Sequence, residues 1–163
     1  MLNREFYIAY SKHIIIFVYI ITQLIYCLIP NFQSNGVLPS GVHWATMEEI
    51  KEKLCFSDKR IELVFGLEQA IVSLKRAGCE TIYLDGSFST SKENPGDIDV
   101  CWELGKVDLD FLLAIEPVLF DFNFKRKAQK DKFGCEFFVM DFIAAPPDIT
   151  FIEFFQQDRD GNP

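Results

Sequence analysis

Histidine is nearly missing from this chain: His13 and His43 are the only two, and they stand too far from other ligand-type residues to suggest a metal cluster or a catalytic triad. Cysteine is sparse and unpatterned. Cys27, Cys55, Cys79, Cys101 and Cys135 are odd in number and contain no C-x-x-C pair, which excludes a zinc ribbon and speaks for reduced thiols in a cytoplasmic setting. Positive charge is short as well. With 16 Lys and Arg against 24 Asp and Glu, the formal charge is −8, so a surface that grips nucleic acid all over is excluded. There are no internal repeats and no low-complexity stretches. Asp158-x-Asp160-x-Asn162 opens like a calcium loop, but Pro163 takes the place of the glycine that such a loop needs.

What is present suits one domain. The chain has 163 residues and 49% hydrophobic composition, enough to form a core without covalent staples. The charge is unevenly spread. Residues 97–121 carry seven carboxylates against one lysine, and Lys125, Arg126, Lys127, Lys130 and Lys132 then face only Asp131. An acidic cluster followed by a basic one suits a metal site beside a phosphate-binding patch. For the basic run alone, a solvated helix face is an equal alternative.

The hydrophobic pattern divides the chain into a hydrophobic segment over 1–29, an irregular lead-in over 30–45 rich in Pro, Gly and Ser, and a folded domain over 45–163. Within the domain, Thr46 and Glu49 form a capping box that predicts a short helix to about Cys55. Ser57 caps a longer helix with a stripe of Ile61, Val64, Leu67, Ile71, Leu74 and Ala77, ended by Gly78. Thr81–Asp85 reads as a strand, Asp97–Trp102 as a second, Asp108–Ile115 and 123–132 as helices, and Cys135–Met140 as a third strand. Thr150 and Glu153 predict a last helix through about Gln157. The order predicts an α+β (α/β-type) domain, a small mixed β-sheet flanked by helices.

The chemistry gathers at two places. On a strand, residues two apart share a face, so Asp97 and Asp99 project together while Ile98, Val100 and Trp102 face the other layer. Two adjacent carboxylates repel unless a cation lies between them, and Mg²⁺ prefers such oxygen ligands completed by water and phosphate. Gly86-Ser87, at the end of the preceding strand, supplies a close backbone approach and a hydroxyl for a phosphate. Either pair alone is common. In this order, on adjacent strands, they make a more specific signal.

Gly86-Ser87, a spacer of nine residues and Asp97-Ile98-Asp99-Val100 resemble the motif of the nucleotidyltransferase superfamily, which includes the DNA polymerase β-like and minimal nucleotidyltransferases. Asp85 departs from it, because a hydrophobic residue usually precedes the glycine. A closer resemblance, carried by IPNF, NGVLPSGVHWAT, YLDGSF, PGDIDVCW, AQKDKFGCEFF and FFQQDRDGNP, is to a narrower bacterial nucleotidyltransferase-like family whose members begin near Ile29 and run on past Pro163.

The resemblance implies a nucleotidyltransferase-like fold and a Mg²⁺- or Mn²⁺-dependent transfer of a nucleoside monophosphate, AMP first, from a nucleoside triphosphate to a hydroxyl on a protein, RNA or small molecule. Asp97 and Asp99 would hold metal, with a third carboxylate from the next strand. Glu136 is favoured for that place over Asp141, which falls on the opposite face by alternation. Gly86, Ser87 and Lys130 would meet the nucleotide. The alternative is a catalytically weak module of the same fold, antitoxin-like, bound to a protein partner from a neighbouring gene.

Residues 14–29 would span ~24 Å as a helix, short of a ~30 Å bilayer core. Arg4 and Lys12 before the run would keep the N-terminus inside and send the domain outside, away from nucleotide. The expectation is therefore a cytoplasmic protein in which this run is not part of the native domain, with membrane association through 14–29 as the alternative.

Overall fold

The computed structural model describes residues 14–19, as backbone, and residues 29–155. It is an α+β fold. Strands β1 (Ile14–Tyr19), β2 (Gly41–Ala45), β3 (Thr81–Asp85), β4 (Ile98–Trp102) and β5 (Cys135–Val139) form one mixed sheet in the order β2-β1-β3-β4-β5. β1 runs parallel to β2 and antiparallel to β3, β3 antiparallel to β4, and β4 parallel to β5. The helices are α1 (Met47–Leu54), α2 (Asp58–Arg76), α3 (Leu109–Ile115), α4 (Asn123–Phe133) and α5 (Phe151–Phe154). A small hairpin of β6 (Ile143–Ala145) and β7 (Ile149–Thr150) precedes α5.

Local chemistry explains the helix starts. Thr46 accepts from the Glu49 amide while Glu49 reaches back to the Thr46 amide at 2.8 Å, and Ser57 caps α2. Ala77 closes α2, and Gly78 follows at φ +100°, the left-handed region open to glycine. On one sheet face, Ile82, Leu84, Ile98, Val100, Trp102, Cys135 and Phe137 are buried in the main core with Leu63, Val64, Leu67 and Leu74 of α2. Gly66 lets α2 cross close to the end of α4, for a Cβ there would stand 2.1 Å from the Phe133 carbonyl oxygen. The opposite face carries a smaller cluster in which Phe138 and Phe155 are buried, with Tyr83, Met140, Phe151 and Ile152 packed beside them.

The departures from sequence expectation are informative. Ile14–Tyr19, inside the run read as a helix-length segment outside the domain, is a strand hydrogen-bonded on both sides. Gly41–Ala45, inside the expected lead-in, is its parallel partner. In α2 the buried side begins one residue earlier than expected: Arg60 and Leu63 are inside, and Ile61 is 54% exposed. Among the described residues, no helix is long and apolar enough to cross a membrane. The expected extension of the last helix to Gln157, and the Asp158–Asn162 segment, lie outside the described residues.

Because β1 fills the place between β2 and β3, a chain of residues 29–163 would leave one edge of β3 unpaired. That truncation is expected to melt at least ~5 °C below the full chain and to associate more readily. An unchanged melting temperature by calorimetry would place the strand outside the cooperative unit.

Candidate functional site

Strand register puts three carboxylates in one row. Asp85 is the cross-strand partner of Asp99, and Asp99 is the partner of Glu136. Directly paired residues lie on the same face of a sheet, so Asp85, Asp99 and Glu136 stand side by side across β3, β4 and β5. Asp97, two residues before Asp99, completes the group. This is the face opposite the main core, next to the Phe138 cluster.

Crowding and burial act on these acids. Burial first, then the charges of Asp97 and Glu136, raise the Asp99 carboxyl to about 6, with Lys130 and Arg126 opposing. Burial, followed by the Asp99 charge, raises Asp85 to about 7 against a hydrogen bond from the Gly86 amide. Lys130 forms an ion pair with Glu136 and lies 3.9 Å from Asp97 Oδ2. Lys130 thus serves as the counter-ion between two of the expected metal ligands. Among the described residues, no three His, Cys, Asp or Glu side chains are gathered into a ready metal cage.

The turn after β3 fits closely against this row. Gly86–Ser89 is a single 3₁₀ turn with Gly86 at φ +75°, and a Cβ on Gly86 would stand 2.1 Å from Asp99 Oδ2. Only glycine fits there. The Ser87 carbonyl accepts from Thr90 Oγ1 at 2.8 Å, while the Ser87 hydroxyl has no hydrogen-bond partner among the described residues.

Arg60 fixes the loop that follows. Its guanidinium is wholly buried and donates to the carbonyls of Leu54 (3.0 Å), Phe88 (2.9 Å), Thr90 (2.5 Å) and Lys92 (3.0 and 2.8 Å). Burial draws it down to about 10, so it is still charged at neutral pH. Ser57 Oγ adds a 2.6 Å bond to the Glu93 carbonyl, and the Ser91 amide one of 2.7 Å to the Gly36 carbonyl.

On the other side, α4 brings the basic residues in. Gln129 is buried, donating to the Leu119 carbonyl at 2.9 Å and accepting from the Phe137 amide at 2.8 Å, which locks α4 to β5. Before the regular part of α4, Phe124, Lys125 and Arg126 all adopt left-handed backbone at φ 47°, 55° and 54°. For residues with a Cβ this costs roughly 1–2 kcal/mol each. The turn delivers Arg126 onto the Phe138 ring, 3.9 Å from its centroid, with Nε donating to the Phe137 carbonyl at 3.1 Å.

Of the residues expected from sequence, Asp97, Asp99, Glu136, Gly86, Ser87 and Lys130 all fall on this side of β3, β4 and β5 or on the segments bordering it. Asp141 lies beyond the end of β5, where its charge acts on Tyr83 and Cys101. Sequence reasoning noted Asp85 only as a departure from a motif, and the hairpin pairing that sets it against Asp99 was the available signal. It overlooked Arg60, and it left Arg126 undistinguished within the basic run.

The chain belongs to a family of unknown function (DUF6932), whose model matches residues 30–163. No curated protein and no solved structure matches it.

Two outcomes follow from this geometry. Arg60→Met leaves four carbonyls without their donor, those of Leu54 and Phe88 buried, and is expected to cost about 3 kcal/mol or more in urea denaturation. Arg60→Lys should recover little of this, because an ammonium cannot span the same acceptors. A loss below about 1 kcal/mol for Arg60→Met would refute the anchoring role.

The second outcome is a pH dependence. Asp85 and Asp99 ionise near pH 4 when unfolded, but at about 7 and about 6 in the fold. Between those values the folded protein holds protons that the unfolded chain has lost, so their contribution makes stability fall as pH rises from 4 to 7. Without added metal, Asp99→Asn should therefore be more stable than the parent at pH 8, by on the order of 1–2 kcal/mol, and should lose that advantage at pH 4. Equal stability at pH 8 would contradict the picture of crowded charge.

Proposed function

We propose that this family member is a metal-dependent nucleotidyltransferase, moving a nucleoside monophosphate, AMP in the first instance, from a nucleoside triphosphate to an acceptor hydroxyl in the cytoplasm. The acceptor class is a protein, an RNA or a small molecule. The observation that carries the reading is the row Asp85–Asp99–Glu136, with Asp97 beside it, set against the Gly86-Ser87 turn.

The donor set fits a hard divalent cation, Mg²⁺ or Mn²⁺. It offers oxygen alone, and two of its carboxyls are pushed toward the neutral form by burial first and then by the charge of neighbouring carboxylates. Mg²⁺ commonly takes one or two protein carboxylates and fills its shell with water and phosphate, so a three-carboxylate cage is not required. Asp97 and Asp99 would hold the ion, and Glu136 would join them on release from Lys130. When bound, the ion supplies positive charge to the phosphate oxygens.

The chain's own groups account for the rest. The free Ser87 hydroxyl donates to a phosphate oxygen, and Gly86 lets the backbone come near. The acceptor oxygen bonds to the α-phosphorus as the bond from that phosphorus to the bridging oxygen breaks, and pyrophosphate leaves. The hydroxyl proton passes to a carboxylate. Asp85, raised to about 7, is matched to receive it near neutral pH.

One observation favours a second reading. Lys130 already neutralises Glu136 and approaches Asp97, as a fixed cation would in a module that has given up the reaction. Such a module would serve as a regulatory, antitoxin-like partner of a protein encoded nearby.

Asp97→Asn with Asp99→Asn decides between them. On the nucleotidyltransferase reading, the parent transfers label from an α-phosphate-labelled nucleotide, melts higher with nucleotide and Mg²⁺ together than with either alone, and loses both properties in the double variant. Saturation at a hundred times Kd adds ~2.7 kcal/mol, a visible shift. Equal transfer by parent and variant would end the mechanism. Absence of transfer in both, with partner binding kept in both, would establish the second reading.

A further inference from the structure

Two basic side chains border the carboxylate row, and they are not in the same state. Lys130 is committed: its ammonium is paired with Glu136 and lies near Asp97. Arg126 is held but not consumed. Its guanidinium lies 3.9 Å from the centroid of Phe138, with Phe122 and Phe151 rings at 5.4 and 5.7 Å, and its Nε is bonded to the Phe137 carbonyl. It feels the charges of Glu136 and Asp99 yet makes no ion pair with any described carboxylate, and its two terminal nitrogens have no hydrogen-bond partner among the described residues.

We infer that Arg126, rather than Lys130, grips the polyphosphate of the incoming nucleotide, presenting its two terminal nitrogens as a preset fork to one phosphate group. This rests on the nucleotidyltransferase reading of the site. Fixing Nε and stacking the guanidinium on an aromatic ring removes most of the freedom that a surface arginine loses on binding. What is left open is the pair of N–H edges that matches two oxygens of a tetrahedral phosphate. A group that only neutralised the acids would turn those edges toward Glu136 or Asp99.

The backbone supports the same inference. Phe124, Lys125 and Arg126 are the only non-glycine residues with positive φ among those described, and they occur consecutively. Strain kept at such a place is explained when it aims a side chain that the site needs. An unstrained helical start would carry Arg126 at a different angle to β5. The outward position of Phe124, 88% exposed, shows that the turn is not made to bury an apolar side chain there.

The test uses the full chain, the four nucleoside triphosphates with Mg²⁺, and inorganic tripolyphosphate as a probe without a base. By titration calorimetry, Arg126→Lys and Arg126→Gln should bind both ligands roughly 10- to 100-fold more weakly than the parent, with the lysine variant showing that charge without the fork is insufficient. Lys130→Gln should weaken tripolyphosphate binding less than either Arg126 variant does. Because Arg126 also touches β5, a second measurement leaves the fold intact: phenylglyoxal labelling of the parent, mapped by mass spectrometry, should be blocked by tripolyphosphate at Arg126 and not at Arg76. Parent-like binding by both Arg126 variants, or labelling at Arg126 that tripolyphosphate leaves unchanged, would overturn the inference while the nucleotidyltransferase reading stands. A parent that binds tripolyphosphate through Arg126 but no nucleotide keeps the anion site and removes that reading. A parent that binds neither removes both.

Discussion

Like charges in register are the constraint to which this face of the protein answers. The pairing of β3 with β4, and of β4 with β5, sets Asp85, Asp99 and Glu136 side by side, in positions where neighbouring carboxylates destabilise a sheet. Exchanging any of them for an apolar residue would relieve the repulsion. The surrounding structure instead softens it: the Gly86 amide donates to Asp85, Lys130 pairs with Glu136, and Arg126 adds positive potential without an ion pair. Asp99, at the centre of the row, receives the least direct relief, and it is the carboxylate against which Gly86 packs. A sheet that compensates its acids only in part is suited to a mobile positive or proton-bearing partner.

That arrangement stands on a rigid frame. Arg60, near the start of α2, makes five hydrogen bonds to four carbonyls, so the segment after the Gly86–Ser89 turn is held by a buried charge. A buried guanidinium without a carboxylate is costly, and the carbonyl dipoles make it tolerable only if all are in place. The result is a loop with one geometry. Gln129 does the same across the site, tying α4 to β5 by accepting from the Phe137 amide and to the segment before α4 by donating to the Leu119 carbonyl. Both anchors are polar side chains satisfied by backbone, which fixes position more sharply than apolar contact.

Much of this was legible in the sequence because it follows local rules. The capping boxes at Thr46 and Thr150, the cap at Ser57, the β-branched run Thr81–Asp85 and the alternation of Asp97–Trp102 each depend on residues within a few positions of one another. The less legible parts depend on distant partners. Ile14–Tyr19 is apolar throughout, so its period cannot separate strand from helix, and its strand state is defined by pairing with β2 and β3. Gly41–Ala45 is brief and flanked by loop-type residues. Arg60 is a charged residue buried beside Ile61, where the apolar stripe was expected to begin, and the left-handed turn at 124–126 contains neither the Gly nor the Asn that would mark it. Asp85 was visible as a residue, but its meaning came only with the register.

The two readings of the site differ in a single physical respect, the identity of the cation among the carboxylates. With Lys130 in place the row is partly neutralised, and the site can rest without an ion. Release of Lys130 would free both Glu136 and the nearer oxygen of Asp97, raising negative charge where a divalent ion could replace the ammonium. Mg²⁺ binding would then be an exchange of one cation for another, and its free energy would be reduced by the loss of the Lys130 pair. On the nucleotidyltransferase reading, a phosphate arriving with the ion would offset that loss, because it brings negative charge of its own and gives Arg126 a partner. Ion and nucleotide would then be coupled through the charge of this face, and the site would have low affinity for either until the other is present.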